Sequence, residues 1–222
     1  LVGGIMGAGI AGLGFEKLVY GGLTKVFAGI IIAPIGGIIF GVIVTTLIIT
    51  IFATKRPGPV NKTFGRLQII SSAWFALTHG ANDGQKTMGI IVLILFSAGL
   101  IPELEMPLWV IFAAAAAMGL GTFFGGYKVI KTLGVKITKL KPYQGFAAET
   151  SGGLMLAVFA IFGIPASTTH AITGTIMGSG AARRKRAVRW KVSRQIVFSW
   201  VITIPGAAGM AIGFTYVIHL FV

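Results

Sequence analysis

His79-Gly80-Ala81-Asn82-Asp83-Gly84-Gln85-Lys86 lies inside a long apolar stretch running from Leu67 to Leu100, and Asp83 is the only aspartate of the chain. As a single helix those residues reach roughly 50 Å at ~1.5 Å per residue, well beyond the ~30 Å hydrocarbon core of a bilayer. Glycines flank Ala-Asn-Asp on both sides, so the stretch is expected to be a helix broken at membrane depth. An acid at that depth is costly unless paired, which makes Asp83 a functional candidate. The plainer alternative is an aspartate that only caps the second half-helix.

Composition sets the class. Hydrophobic residues make up 55% of the 222 and charged residues only 11%, and several apolar runs are long enough to span a membrane. The 33 glycines suit helices that approach closely or break. The absence of cysteine excludes disulfides and thiolate metal sites. A net charge of +14 raises the question of nucleic acid, and its distribution answers it. The bases gather in loops 54–66, 128–144 and 183–194, whereas the connector between 101 and 107 carries Glu103 and Glu105 and no base. This is the positive-inside pattern, with three basic loops cytoplasmic and the acidic connector outside. The run Arg183-Arg184-Lys185-Arg186 also suits anionic lipid headgroups.

These signs predict an all-α polytopic membrane protein. Residues 26–53 cross inward, 67–100 cross outward through the expected break, and 107–127 return. Residues 146–163 go out, and 165–182 come back as a short re-entrant or half-helix opening Pro165-Ala166-Ser167-Thr168-Thr169-His170. Residues 195–218 then cross outward.

The chain also repeats itself. A displacement of 171 residues superposes Gly3, Ile5, Met6, Gly7, Gly9 and Ala11 on Gly174, Ile176, Met177, Gly178, Gly180 and Ala182, and the same frame sets Pro34 on Pro205. The two copies are expected to be inverted in the membrane, as in many secondary transporters with a site at the repeat interface. Residues 1–53 are then the remainder of a first repeat, 54–66 a basic loop and 67–222 the second repeat. The counterpart of Ser167–His170 falls just before Leu1, so the full protein is expected to be longer by at least ~100 residues. Residues 1–222 alone are expected not to transport.

Gly80-Ala81-Asn82-Asp83 followed by Pro165-Ala166-Ser167-Thr168-Thr169-His170 resembles the inorganic phosphate transporter family, its bacterial branch in particular. The resemblance runs through essentially the whole chain. It implies cation-coupled symport of inorganic phosphate in a prokaryotic plasma (inner) membrane, with no enzymatic activity. Gly84-Gln85-Lys86 departs from the small residues usual in eukaryotic members.

The residues support that chemistry on their own. Phosphate needs donors and positive charge. Ser167, Thr168 and Thr169 offer hydroxyls at a half-helix N-terminus, whose free N–H groups and dipole favour anions. The same hydroxyls could instead bond back to their own helix. Asp83, the Asn82 carbonyl and freed backbone carbonyls, with Thr169, form a hard-oxygen set for sodium; a protonated Asp83 would give proton coupling instead. Gln85 and Lys86 are candidate phosphate contacts, although Lys86 could equally snorkel or pair with Asp83. His79 and His170 flank the motifs as proton shuttles or as packing groups. Glu149 is a supporting site residue or a dipole-compensating acid near its helix start.

No bound cofactor is expected beyond the coupling ion, sodium or alternatively a proton. The expected partners are phosphate, sodium and the lipid bilayer, without nucleic acid; a homodimer is left open. Two readings compete with phosphate symport. One is a proton-coupled phosphate or sulfate permease of the same fold. The more distant one is an intramembrane serine hydrolase using Ser167, His170 and Asp83.

Overall fold

The computed structural model describes residues 1–221, without the side chains of Lys128 and Ile130. Lys128, counted above among the bases of loop 128–144, therefore has its side chain outside the described residues. Seven α-helices carry the described chain: α1 (Val2–Leu13), α2 (Tyr20–Ile51), α3 (Pro57–Ser97), α4 (Leu108–Lys131), α5 (Pro142–Ile161), α6 (Thr168–Arg183) and α7 (Trp190–His219). Three of them, α2, α7 and α4 with its π-helical extension to Ile137, are long and apolar enough to cross a membrane.

Two expectations are corrected. The helix expected to break at Asn82-Asp83 is continuous: α3 runs unbroken from Pro57 to Ser97. Neither Gly80 nor Gly84 takes a positive φ. Breaks at membrane depth arise where backbone groups find better partners than their own helix; here the side chains of Asn82 and Asp83 find those partners and the backbone ladder stays intact. The basic loops are also shorter than expected. Pro57 forces Arg56 into an extended conformation (φ −63°, ψ 134°) and opens α3, so Lys62 and Arg66 are helical. Residues 128–131 and 190–194 likewise belong to α4 and α7.

The non-helical backbone falls instead between α5 and α6. Gly163, at φ +60°, ends α5 in the left-handed region, and the Ile164 N–H closes back on the Phe159 carbonyl at 2.9 Å. Pro165 follows, and Ser167 caps α6 by accepting the His170 N–H at 3.4 Å. At 16 residues α6 is about 24 Å long, short of a full hydrocarbon core. This is the half-helix expected over 165–182.

The chain divides into two compact units, Val26–Val188 and Leu1–Lys25 with Arg189–Val222. In the larger unit α2 is two-faced. Gly29, Ala33, Gly37, Gly41 and Thr45 form a buried stripe at four-residue spacing, while Ile31, Ile35, Ile39 and Ile43 are exposed. Lipid gives no hydrophobic drive for helices to associate, so close backbone contact must hold them. A Cβ on Gly174 or Gly178 of α6 would strike the carbonyls of Pro34 and Ile38 on α2, and one on Gly37 would come within 2.7 Å of the Ala171 carbonyl. The same device pairs α3 with α5, whose Gly145, Gly152 and Gly153 leave room for Gln68, Phe75 and Trp74. Beside this seam Ala33, Met155, Leu156, Phe159, Ala166 and Ala171 form a buried cluster. In the smaller unit α1 packs on α7, with Gly3 against the Ile204 carbonyl and Gly7 against Ala208.

Two substitutions test this account by thermal unfolding in detergent. Gly178→Val should destabilise the protein by several degrees, because the new side chain meets α2 backbone. Gly80→Ala points into open space and should be neutral or stabilising by up to ~1 kcal/mol, since alanine outranks glycine within a continuous helix. A strongly destabilising Gly80→Ala would restore the broken-helix reading.

Candidate functional site

A polar stripe of Gln68, Ser71, Thr78 and Asn82 runs up one face of α3, at spacings of three, four and seven residues. Ser71, Thr78 and Asn82 on it are buried. Asn82 donates to the Thr78 carbonyl at 2.9 Å and to the Leu156 carbonyl at 3.4 Å, tying α3 to α5. Its side-chain nitrogen is thus spent on backbone acceptors.

Asp83, the next residue, faces the α5–α6 connection. Thr168, nearly fully buried at the start of α6, donates its hydroxyl to Asp83 Oδ2 at 2.8 Å. Lys86 lies one turn along α3 and donates to Asp83 Oδ1 at 3.0 Å and to the Ala166 carbonyl at 2.6 Å. His79 Nε2 stands 3.8 Å from Oδ2 on the other side, with its ring stacked on Phe75. One carboxylate therefore joins α3 to the opening of α6, and one ammonium bridges that carboxylate to the non-helical segment. Of the three readings of Lys86, as a phosphate contact, a snorkelling base or a partner of Asp83, this structure shows the pair with Asp83.

The other candidates divide. Ser167 sits at the α6 cap. Gln85 and Thr169 are exposed and lie outside the Asp83 cluster, so no contact of this structure supports their assignment to phosphate or sodium. Glu149 is the eighth residue of α5, beyond the first turn in which dipole compensation acts. It accepts from Ser71 Oγ at 2.6 Å and from Gln68 Nε2 at 3.3 Å, which makes it a link between α3 and α5. The polar stripe on α3 was the sequence signal for that link.

His170 makes a hydrogen bond whose partner the sequence did not name. Pro34 has no N–H, so the Ile30 carbonyl four residues earlier loses its helical donor. The His170 ring nitrogen Nδ1 lies 3.4 Å from that carbonyl. Since the carbonyl can only accept, Nδ1 carries the proton in this contact. Pro34 within an apolar helix was itself the available clue.

Among the described residues no cluster of three or more His, Cys, Asp or Glu could hold a metal ion. What gathers around Lys86 is one carboxylate and one carbonyl, with a hydroxyl on the far carboxylate oxygen; such neutral and singly charged oxygens suit an alkali cation better than a transition metal.

Long apolar helices with exposed apolar faces mark an integral membrane protein. The model of the phosphate transporter family matches residues 1–211. The chain is 47% identical over 209 residues to a probable low-affinity inorganic phosphate transporter of Rhizobium meliloti, covering 94% of this chain and 63% of the relative. It is 41% identical to a protein of the same description from Bacillus subtilis, with the same coverage. A solved structure titled "The sodium-dependent phosphate transporter" superposes on 99% of the chain and 72% of its own with a TM-score of 0.84 at 23% identity, a likeness of fold. The chain belongs to the phosphate transporter family. It spans about 63% of the length of the two bacterial relatives. These relatives are named as transporters, and the hydrolase reading is set aside. Ser167 Oγ is engaged as a helix cap, and the Asp83 oxygens are held by Lys86 and Thr168.

The His170 contact can be isolated by a double-mutant cycle. His170→Ala should cost about 1–2 kcal/mol of stability by leaving the Ile30 carbonyl without its donor. In a Pro34→Ala background, where residue 34 regains an N–H, the same change should cost less than about half of that. Equal costs in both backgrounds would remove the link.

Proposed function

We propose that this chain is the greater part of a secondary active transporter that carries inorganic phosphate by cation-coupled symport, with sodium as the coupling ion, in a prokaryotic plasma membrane. The observation that carries the reading is the meeting of Asp83 and Lys86 with the N-terminus of α6. The amides of Thr168 and Thr169 precede the first i→i−4 bond of α6, from Ala171 N–H to the Ser167 carbonyl at 3.0 Å, so they have no partner within the helix. They and the nearby hydroxyls favour an anion, while Asp83 and the Ala166 carbonyl favour a cation. Lys86 holds the cation's place between those two oxygens. Sodium arriving at Asp83 releases the ammonium, which is then free to meet phosphate. The printed names of the relatives support phosphate as the substrate, and that of the structural neighbour supports sodium.

Internal pairing supports the inverted repeat. In the smaller unit the first copy's Gly3 and Gly7 pack on the second copy's α7; in the larger, the second copy's Gly174 and Gly178 pack on the first copy's α2. Equivalent glycines thus lock onto equivalent proline-bearing helices, exchanged between copies. Both pairings run parallel, since later glycines meet later residues. The loop charges alone make residues 165–182 cross toward the basic side and 195–218 away from it, which supports copies of opposite sense.

The test is uptake by the whole gene product in vesicles. Asp83→Asn keeps the volume and removes the charge, and should lower sodium-driven phosphate uptake at least about tenfold, the scale of one lost charge-assisted contact. Alanine at Ser167, Thr168 and Thr169 together should mainly weaken apparent phosphate affinity, by about one to two decades for each charged hydrogen bond lost. Uptake that ignores sodium and follows an imposed pH gradient would favour proton coupling. Equal competition by sulfate would favour the broader permease.

A further inference from the structure

At the opposite end of α6 from the Asp83 cluster, four helix ends close around a cavity of about 210 Å³. That is room for a headgroup rather than a single water, which needs only ~10–15 Å³ by the same measure. Lys55 reaches it from the α2–α3 turn, Lys141 from the residue before α5, and Arg183 from the last residue of α6. The chain has only five acids, and none of them lines this cavity. Among the described residues the ion pairs are those on Asp83, so these three cations face one another without an acidic counterpart. Like charges brought together from three separate elements repel, and an anion between them relieves that repulsion.

The remaining wall identifies the anion's carrier. Ile49 and Phe52 line the cavity and are themselves exposed, which gives the site an apolar lip. Asn61 also lines it, and its Oδ1 is buried with no hydrogen-bond partner while its Nδ2 donates to the Pro57 carbonyl. An unpaired buried acceptor calls for a donor. Three cations, an apolar lip and one open acceptor together match a molecule with a negative phosphodiester, acyl chains and a hydroxyl.

We infer that this cavity is a binding site for an anionic phospholipid of the phosphatidylglycerol class. The phosphodiester lies among Lys55, Lys141 and Arg183, a glycerol hydroxyl donates to Asn61 Oδ1, and an acyl chain leaves over Ile49 and Phe52. Basic pockets between membrane helices on the positive side select such headgroups. The occupied site would tie the α2–α3 turn to the ends of α5 and α6, and α5 and α6 are the helices that frame the Ser167–His170 segment.

Native mass spectrometry of the detergent-purified whole gene product, supplied with phosphatidylglycerol or with phosphatidylcholine of the same chains, tests the inference. Wild type should retain phosphatidylglycerol about tenfold or more over phosphatidylcholine, given the attraction each nearby cation adds. The triple variant Lys55→Gln/Lys141→Gln/Arg183→Gln should lose that preference. The control Lys62→Gln/Arg66→Gln/Lys139→Gln, which removes equal charge elsewhere, should keep it within about twofold. Should the cavity triple not fold, Lys55→Gln and Arg183→Gln singly should each lower retention, and unchanged retention in both would overturn the site. Wild-type retention in the cavity triple would overturn it as well. An equal loss in the control would reduce the effect to diffuse surface charge. Displacement of the lipid by millimolar inorganic phosphate would reassign the cavity to a soluble anion.

Discussion

A carboxylate packed among largely apolar helices must be compensated wherever it sits, and in this chain the compensation of Asp83 organises the middle of the larger unit. Its two oxygens are held from two directions, one by Lys86 on its own helix and one by Thr168 at the start of α6. Lys86 in turn holds the Ala166 carbonyl. The non-helical turn between α5 and α6 is therefore fastened to a long unbroken helix by charge-assisted hydrogen bonds, which are roughly twice as strong as neutral ones. Under the proposed mechanism, each of these contacts is also one that an arriving ion would have to replace.

Around that centre the helices are held by shape. Lipid does not push apolar helices together, so their association relies on close packing and on polar groups that satisfy one another. The glycine stripe of α2 against Gly174 and Gly178, and the small residues of α5 beneath the side chains of α3, serve the first need. Glu149 with Ser71 and Gln68, Asn82 with the Leu156 carbonyl, and His170 with the Ile30 carbonyl serve the second. The polar contacts sit at the seams where glycine has already brought the backbones close. His170 shows the economy of the arrangement, because the proline that bends the rules of α2 leaves the acceptor that the histidine takes.

The two ends of α6 carry contrasting electrostatics. Its N-terminus opens beside a carboxylate and an ammonium that neutralise each other. Its C-terminus, with the loop-borne bases, gathers positive charge with no acid at hand. A helix dipole favours cations at its C-terminus, so Arg183 is well placed; Lys55 and Lys141 add more charge than the dipole alone can balance.

The sequence by itself determined the class, and it pointed to a crossing order, an internal repeat and a set of candidate residues. Apolar run lengths and loop charges are local properties, legible without coordinates, and the Asn-Asp and Ser-Thr-Thr-His motifs marked the two segments that the structure brings together. Pro165 and Ser167 correctly announced the start of α6. The sequence misled on Gly80 and Gly84, which were expected to break α3, and it left open which of its neighbours Lys86 would choose. Glycine permits a break without requiring one, and the outcome depends on whether partners lie across the interface. Only the tertiary structure supplied those partners: Leu156 for Asn82, Thr168 for Asp83, Ala166 for Lys86. With the polar side chains satisfied from outside, the helix had no reason to open, and the irregular backbone moved to residues 162–167, where Gly163 and Pro165 leave no helical alternative.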